Sequence, residues 1–536
     1  MITAIELENF RGFGKRQRIE FCPITLLYGA NSAGKSALLH ALLFVHEFLV
    51  MRRESPERSA LGGRFVHFGS YRDLVHKGNL RQSFKIKIEM FFDWNVGGLD
   101  WDHGYPMDGF EPSPEGTKDT IAIEFVFESI DNRPQISEYI FFVGDEPIVQ
   151  ANLLETFEDA SRKYYCYRYG DELRISLSYF GRHPCRPVDV DWPNEINDQI
   201  ACKGRIASGT DFINCSHYLV VKPEGDKEQV LSRQRNFFLG WMVGITAQLR
   251  HKLENLVSLG PLREIPTEFY ARRQIDLSRV ASGLAAWDRL ADMLPLQLEA
   301  FNKWLGPNGL DLGYTMYPVI FVPAEGWTDN EGTLRYSKDS LRWDLLENED
   351  GGISPEVMRR IEFARISESG TDAFGYDQRL LPTSIGVGLS QIVPVIYHCL
   401  APNPRRQFAA RFITIEQPEL HLHPKAQTRL GDLLITCFGD GENALSDSYN
   451  HVSDDQAIIE THSEHLLLRI LRRIRETSNN ELPKGTPGMN PNGVAVYYFT
   501  STPDGTVANR LRINEQGEFI DPWPCGFFEE RIEELI

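Results

Sequence analysis

Residues 29–36 read GANSAGKS, and this octet decides the fold class of the chain. It has the spacing of a phosphate-binding loop, with two glycines followed by a lysine and a serine. An apolar run at residues 24–28 precedes it and a helical pattern at residues 37–50 follows it, which is the strand–loop–helix context that the motif requires. The sequence therefore predicts an α/β fold that binds a nucleoside triphosphate.

The residue types of the octet predict how the phosphates are held. The glycines let successive backbone N–H groups curl around phosphate oxygens, because no Cβ stands in the way. We expect Lys35 to contact the β- and γ-phosphates and the Ser36 hydroxyl to bind Mg²⁺.

Composition limits the classes of protein that the chain can belong to. Its 536 residues suggest roughly two to four structural units. No run of about 18 apolar residues exists, so we expect no membrane contact, and the eight cysteines form no Cys-x-x-Cys pair, so we expect a cytoplasmic protein. The net charge of −19 disfavours stable coating of DNA by the chain alone, although a local basic groove in a dimer stays open.

The chain divides into a split pattern. Strand signals dominate from about residue 83 to residue 221, helical patterns cover residues 227–256 and 277–305, and the charged stretch 339–372 predicts a mobile loop. A second strand-and-helix half follows. We expect four segments: an N-terminal part of an ATPase head (1–80), a β-rich insertion (81–225), a helical and mixed connecting region (226–375) and a C-terminal part of the head (376–536).

The second half carries three further motifs. The apolar strand 412–416 ends in Glu416, the form of a strand that organises Mg²⁺, and QPELHLHP follows it. Upstream, residues 384–391 (SIGVGLSQ) are small residues that open a helix, a terminus suited to an anion. Downstream, the strand 458–460 ends in Thr-His-Ser, which places His462 where ligands of open α/β sheets collect.

The ordered set of these motifs resembles the ABC-type ATPases of the SMC and OLD families. It is most similar to short members without coiled-coil arms, the PtuA-like ATPases of Septu and retron-associated anti-phage operons. The resemblance covers the first 50 residues and the chain from about residue 380 onward, and LGPLR at residues 259–263 is similar to the same group. It implies an ABC-type P-loop ATPase head, a mixed sheet flanked by helices, with a β-rich and helical insertion.

The resemblance also implies the cofactors ATP and Mg²⁺ and a role for each matching position. Ser36 and Glu416 would bind the metal, and residues 384–391 match the signature segment that contacts the γ-phosphate held by a second subunit. The implied catalytic residues are Glu416, Gln417, Glu419 and the switch histidine His462. The implied nucleotide-binding residues are Arg11, Gly29, Asn31, Gly34, Lys35, Ser36, Ser384, Gly386, Gly388, Ser390, Gln391 and, in the D-loop region, His423.

One position departs from the family pattern. Many cassette ATPases carry a catalytic glutamate directly after the metal-organising acid, whereas this chain has Gln417. Glutamine orients water but cannot accept its proton. Three alternatives follow: Glu419 substitutes as base, hydrolysis is slow, or the protein mainly holds ATP. Three other residues also keep two interpretations, since His421 with His423 has the spacing of a metal pair and Arg263 is equally typical of a structural ion pair.

The leading functional hypothesis is an ATPase switch of an anti-phage system. A signature segment that completes a site in trans implies an ATP-dependent homodimer or higher oligomer. The sequence shows no Toprim or zinc-nuclease motif, so the expected partner is a separate nuclease, with a nucleic-acid component such as a retron reverse transcriptase and its non-coding RNA. The alternative is a DNA-repair or recombination ATPase that contacts DNA directly, and a scaffold that binds ATP without turnover is a third hypothesis.

Overall fold

The computed structural model describes residues 1–51, 67–93, 118–130, 132–159, 162–168, 204–209, 219–221, 245–246, 248–266, 277–321, 358–366, 379–400, 410–439 and 455–524. The strands are β1 (Ile2–Glu8), β2 (Gln17–Glu20), β3 (Ile24–Gly29), β4 (Phe84–Asp93), β5 (Lys118–Ile130), β6 (Arg133–Val143), β7 (Glu146–Asp159), β8 (Arg162–Arg168), β9 (Gly204–Gly209), β10 (Leu219–Val221), β11 (Leu256–Leu259), β12 (Tyr314–Phe321), β13 (Met358–Arg365), β14 (Phe412–Glu416), β15 (Gln456–Glu460), β16 (Val494–Thr502) and β17 (Gly505–Leu511). The helices are α1 (Lys35–His46), α2 (Tyr71–Leu74), α3 (Leu277–Ala281), α4 (Leu284–Leu290), α5 (Pro295–Leu305), α6 (Val387–Leu400), α7 (Pro424–Phe438) and α8 (Glu464–Ser478).

A six-stranded sheet carries the phosphate-binding loop. Its strand order is β11-β14-β15-β3-β16-β17. The first five strands run parallel to their neighbours, and β17 pairs antiparallel with β16. Every residue of β3 and β15 is buried, because helices or a second sheet cover both faces of a parallel sheet. The loop after β3 therefore opens at the middle of the sheet.

A nine-stranded antiparallel sheet packs beside it. Its order is β10-β9-β8-β7-β6-β5-β4-β1-β2, so the strands of the predicted β-rich insertion continue the sheet that β1 and β2 begin. In β4 the residues Phe84, Ile86, Ile88 and Met90 are buried, as the alternation in the sequence predicts for a strand with one face on the core.

The helix α1 lies between the two sheets. Its Phe44 ring sits 5.7 Å from the ring of Phe84 on β4 and 5.0 Å from that of Phe127 on β5. On the other face of the six-stranded sheet, α6, α7 and α8 form a second apolar core with alternate residues of the central strands. The predicted α/β class, a mixed sheet flanked by helices with a β-rich insertion, is confirmed.

Several predicted elements differ in detail. The helix predicted at residues 277–305 is three helices, because Gly283 adopts φ +78° and Pro295 starts a new helix. Leu256 belongs to β11 and not to a helix, and the loop predicted at 339–372 is wrong over β13. Part of the predicted β-rich stretch, residues 169–203, lies outside the described residues. None of the described helices has both the length and the apolar character needed to cross a bilayer.

Candidate functional site

The phosphate-binding loop joins β3 to α1, as the sequence predicts. Gly29 and Gly34 adopt φ +138° and +106°, which L side chains rarely do, and Asn31 is exposed on the loop. The Lys35 ammonium donates to the carbonyl oxygens of Gly29 (2.8 Å) and Ala30 (3.0 Å). The lysine therefore already lies inside the curve of backbone that the motif predicts for phosphates.

A residue near the end of the described chain holds this loop in place. The Thr506 hydroxyl, on β17, donates to the carbonyl of Ala33 at 3.0 Å. The Thr506 backbone N–H donates to the carbonyl of Gly12 at 2.7 Å. A Cβ on Gly34 would collide with the Thr506 hydroxyl, so the close approach of the two segments requires the glycine. The start of β17 thus connects the phosphate-binding loop to the loop after β1.

One carboxylate lies beside Lys35 and Ser36, and a second lies next to it at the end of the neighbouring strand. Glu416 and Glu460 end the neighbouring parallel strands β14 and β15 and are partners in register. The Ser36 hydroxyl donates to Glu460 Oε2 at 2.8 Å, and Lys35 Nζ lies 3.8 Å from Glu460 Oε1. Burial and then the charge of Glu460 raise the pKa of Glu416 to about 7. The hydroxyl of Ser36 and the carboxylates of Glu416 and Glu460 are therefore grouped at one edge of the sheet, with the ammonium of Lys35 beside Glu460.

The residue that follows Glu416 has an unusual backbone. Gln417 adopts φ +46°, a left-handed conformation that costs a non-glycine residue about 1 kcal/mol or more. Its backbone N–H donates to the carbonyl of Glu460 at 2.7 Å. This bond joins the ends of β14 and β15 and keeps the strained residue in place, and such strain clusters at functional sites.

Glu419 and His462 meet on the same side of the sheet. The backbone N–H of His462 donates to Glu419 Oε1 at 2.7 Å. Burial raises the pKa of Glu419, whereas burial and then the charge of Lys35 lower the pKa of His462. A lowered histidine pKa means a neutral ring at pH 7, and the influence of Lys35 places that ring near the phosphate-binding loop. Within the described residues, Glu419 Oε2 and His462 Nε2 are buried without a hydrogen-bond partner.

Arg263 connects this region to the segment 384–391. It is 3% exposed, and its guanidinium donates to the carbonyl of Glu416 at 2.7 Å. Its backbone N–H donates to Gln391 Oε1 at 2.9 Å, while Gln391 Nε2 donates back to the Arg263 carbonyl at 2.6 Å. Burial lowers the pKa of Arg263 to about 10, against the charges of Glu419 and Glu416. Arg263 therefore links the end of β14 to α6 through hydrogen bonds.

The segment 384–391 opens α6, as predicted. Ser384 and Gly386 are exposed, and nothing lies within 4 Å of a Cβ built on Gly386. A Cβ on Gly388 would lie 2.5 Å from the carbonyl oxygen of His421, so this turn packs directly on the D-loop region of its own chain. The buried Ser390 hydroxyl donates to the carbonyl of Val387 at 2.9 Å, within the helix.

Two further predicted nucleotide-binding residues, besides Ser390 and Gln391, have other partners in this structure. The Arg11 guanidinium contacts the His40 ring on α1 and lies 5.6 Å from the ring centroid of Phe68. His423 precedes α7, and its Nδ1 accepts the backbone N–H of Lys425 at 3.3 Å, so it caps that helix. Their roles at the nucleotide stay predictions.

The donor set fits a magnesium nucleotide. Mg²⁺ prefers hard oxygen ligands, and Ser36, Glu416 and Glu460 supply a hydroxyl and two carboxylates at one edge of the sheet. The cation would neutralise phosphate charge when bound, and Lys35 would contact the phosphates directly. Gln417 and His462 lie at adjacent strand ends, where both can orient water, but the amide of Gln417 accepts no proton.

Sequence analysis assigned no role in the site to Glu460 or Thr506, and it left the role of Arg263 open. Glu460 carries a visible signal, because it ends a strand directly before the predicted switch histidine. Arg263 carries a weaker signal, a buried arginine in an apolar segment, and Thr506 carries none that local sequence reveals. Each acts through a partner at least 100 residues away, which no local pattern encodes.

Comparisons with known families identify an ATPase. Residues 4–177 match a family described as AAA domain, and residues 336–467 match one described as AAA ATPase domain. Residues 489–535 match a family described as a protein of unknown function (DUF3696). No curated protein matches the chain. The first match contains the phosphate-binding loop and the second contains Glu416 and His462, so the chain carries an ATPase domain in two parts.

Solved structures of SMC heads are among those to which this chain is similar. The SMC head domain from Thermotoga maritima is 10% identical, with 96% of this chain and 99% of that chain covered and a TM-score of 0.33. The Smc head domain from Pyrococcus furiosus, bound to the C-terminal domain of ScpA, is 12% identical, with 100% and 98% covered and a TM-score of 0.37. At these scores the likeness adds nothing to the fold described above.

Proposed function

We propose that this ATPase is a slow molecular switch of an anti-phage defence system. It binds ATP and Mg²⁺, dimerises around the nucleotide and controls a separate effector nuclease. The observation that carries the proposal is one site that unites Lys35, Ser36 and Glu416 but has Gln417 where a base is expected. Such a site holds a nucleotide well and turns it over poorly.

Slow hydrolysis follows from the groups around Gln417. An amide accepts no proton from the attacking water, and Glu419 Oε1 already accepts the backbone N–H of His462, which leaves only the buried Oε2 of Glu419 as a carboxylate base. We expect a turnover of about 1 s⁻¹ or less, the low end for enzymes. Steady-state phosphate release by the purified chain measures it, with Lys35→Ala as the control without nucleotide binding. A rate of about ten per second or more contradicts the proposal.

Dimerisation around ATP is supported by the exposed face of the segment 384–391. Val387 is 53% exposed at the start of α6 and Leu262, beside Arg263, is 75% exposed. Two exposed apolar side chains flanking an open helix terminus suit contact with a second copy whose γ-phosphate faces that terminus.

A charged substitution on the exposed surface at the start of α6 tests whether this surface forms the dimer interface. We expect MgATP to convert the monomer into a dimer in light scattering after size exclusion. Val387→Asp should abolish the dimer, because it sets a negative charge against the phosphate of the other copy. Leu296→Asp, at a side chain that is 81% exposed on α5, is the matched control and should dimerise normally. Equal dimerisation of both variants would refute the proposed face.

The nuclease partner rests on the resemblance to armless defence ATPases. A tagged pull-down from the native host with ATP and Mg²⁺ should recover a nuclease in stoichiometric amount, and Lys35→Ala should lose it. Recovery of no protein partner by the wild type contradicts this part of the proposal. The strands β7 to β10, farthest from the ATPase sheet in the nine-stranded order, are the part of the insertion that we assign to partner contact. Removing residues 146–221 leaves β1, β4, β5 and β6 paired and tests that assignment.

Direct action on DNA is the alternative function. The arginine-rich helix α8 is the strongest basic cluster, but Arg469 and Arg473 bind Asp432, and Arg472 binds Glu476. Paired arginines offer little charge to a phosphate backbone. DNA-stimulated hydrolysis with a steep salt dependence would favour the alternative, and its absence at low salt favours the switch.

A further inference from the structure

Glu460 occupies a special place in the nucleotide site. Its side chain is 8% exposed, and it ends β15, the strand between β14 and β3. One carboxylate oxygen accepts the Ser36 hydroxyl at 2.8 Å and the other lies 3.8 Å from Lys35 Nζ. These are the two side chains of the phosphate-binding loop that serve the cation and the phosphates. A buried carboxylate that touches both lies at the centre of the site.

A purely structural role explains these contacts poorly. Burying a carboxylate is costly unless charges or donors compensate it, and here the compensating groups are the ones that a magnesium nucleotide engages. A second carboxylate, Glu416, lies directly across in register at the end of β14. Two neighbouring carboxylates and one hydroxyl at a strand edge are the hard oxygen donors that a divalent cation requires.

We propose that Glu460 is a second carboxylate for the divalent cation, so that Ser36, Glu416 and Glu460 hold it together. This proposal rests on the proposed function, because it concerns the same ATP site. Without the cation, two carboxylates oppose the phosphates and one ammonium attracts them. With the cation, the carboxylate charge is balanced and the phosphates enter. The second carboxylate therefore makes ATP binding depend on the cation more strongly than one carboxylate does.

The test measures how strongly Mg²⁺ and ATP help each other to bind. Calorimetric titration gives the ATP affinity of the full chain with excess Mg²⁺ and with a chelator. The ratio of the first affinity to the second measures how strongly ATP binding depends on the cation. Glu460→Gln should reduce this ratio at least tenfold, because Mg²⁺-ATP binds more weakly and free ATP binds more tightly. Glu464→Gln, four residues along on α8, removes the same charge outside the site and should leave the ratio unchanged.

The competing interpretation is that Glu460 only stabilises the phosphate-binding loop when no nucleotide is bound. If Glu460 only holds Ser36 and Lys35 away from the nucleotide, Glu460→Gln tightens ATP equally with and without Mg²⁺, and our inference is overturned. An unchanged ratio overturns it as well. Glu460→Asp, which keeps the charge, should retain a ratio above that of Glu460→Gln, and it serves if the glutamine variant fails to fold. Absence of ATP binding by the wild type would instead refute the proposed function.

Discussion

Proton release on nucleotide binding tests the environment of Glu416. Burial, and then the charge of Glu460, raise its pKa from 4.5 to about 7. At pH 7 about half of the Glu416 side chains then carry a proton. A divalent cation bound to this carboxylate displaces that proton. We expect about 0.5 proton released per site at pH 7, about 0.9 at pH 6 and almost none at pH 8.5.

The sign of the pH dependence follows from linkage. Because the folded pKa lies above the unfolded one, the folded chain binds more protons between about pH 4.5 and 7, and Glu416 makes it less stable as pH rises through that window. The shift corresponds to at most about 3 kcal/mol, since each pKa unit is worth about 1.4 kcal/mol. Glu416 must lose its proton before it can bind the cation, and this loss costs less free energy as the pH rises towards the pKa. The affinity for MgATP should therefore rise with pH over the same window.

Calorimetry provides the assay. Preformed MgATP is titrated into the chain in two buffers of different ionisation enthalpy at each pH, and the difference in heat gives the protons released. Glu416→Gln is the control for protons that come from the nucleotide or from other groups. Release that stays constant between about pH 6 and 8.5, or that persists in Glu416→Gln, would refute the assigned environment.

Two further substitutions test the packing around the site. Gly388→Ala should destabilise the chain by about 1–3 kcal/mol, because its Cβ would lie 2.5 Å from the His421 carbonyl oxygen, whereas Gly386→Ala meets open space and should melt like the wild type. Scanning fluorimetry distinguishes them, and equal melting temperatures would contradict the described contact. Thr506→Val should weaken ATP binding by about tenfold, since the Ala33 carbonyl loses its donor, while Thr506→Ser keeps the hydroxyl and the affinity. Equal affinity of the valine and serine variants, measured by calorimetry, would show that this bond does not support the loop.

The phosphate-binding loop was predictable because its information is local. Residues 29–36 contain the glycines, Lys35 and Ser36 within one octet, and the buried run of β3 stands directly before them. Glu416 was predictable for the same reason, since an apolar strand ends in a carboxylate. The roles assigned to Arg11 and His423 came from resemblance alone, and their side chains contact His40 and Lys425 in this structure.

The supporting groups of the site depend on pairing that the sequence does not display. Glu460 matters because β15 lies between β14 and β3, an order set by the whole sheet. Arg263 matters because an amide 128 residues away, in Gln391, pairs with its backbone. The division of residues 277–305 into three helices could have been predicted from the sequence, because Gly283 and Pro295 are ordinary signals of helix ends.

The position of β3 in the sheet has a consequence for biosynthesis. Both of its neighbours, β15 and β16, come from beyond residue 455, and the backbone N–H of Ile2 donates to Gln456 Oε1 at 2.8 Å. A ribosome adding about 5–20 residues per second needs roughly 20 to 85 s between β3 and β15, the first of these neighbours to be made. During that time the apolar β3 has no partner strand, so the nascent amino-terminal segment requires shielding by a chaperone or by the growing antiparallel sheet. Nucleotide cannot assist folding of this chain until translation is nearly through β16.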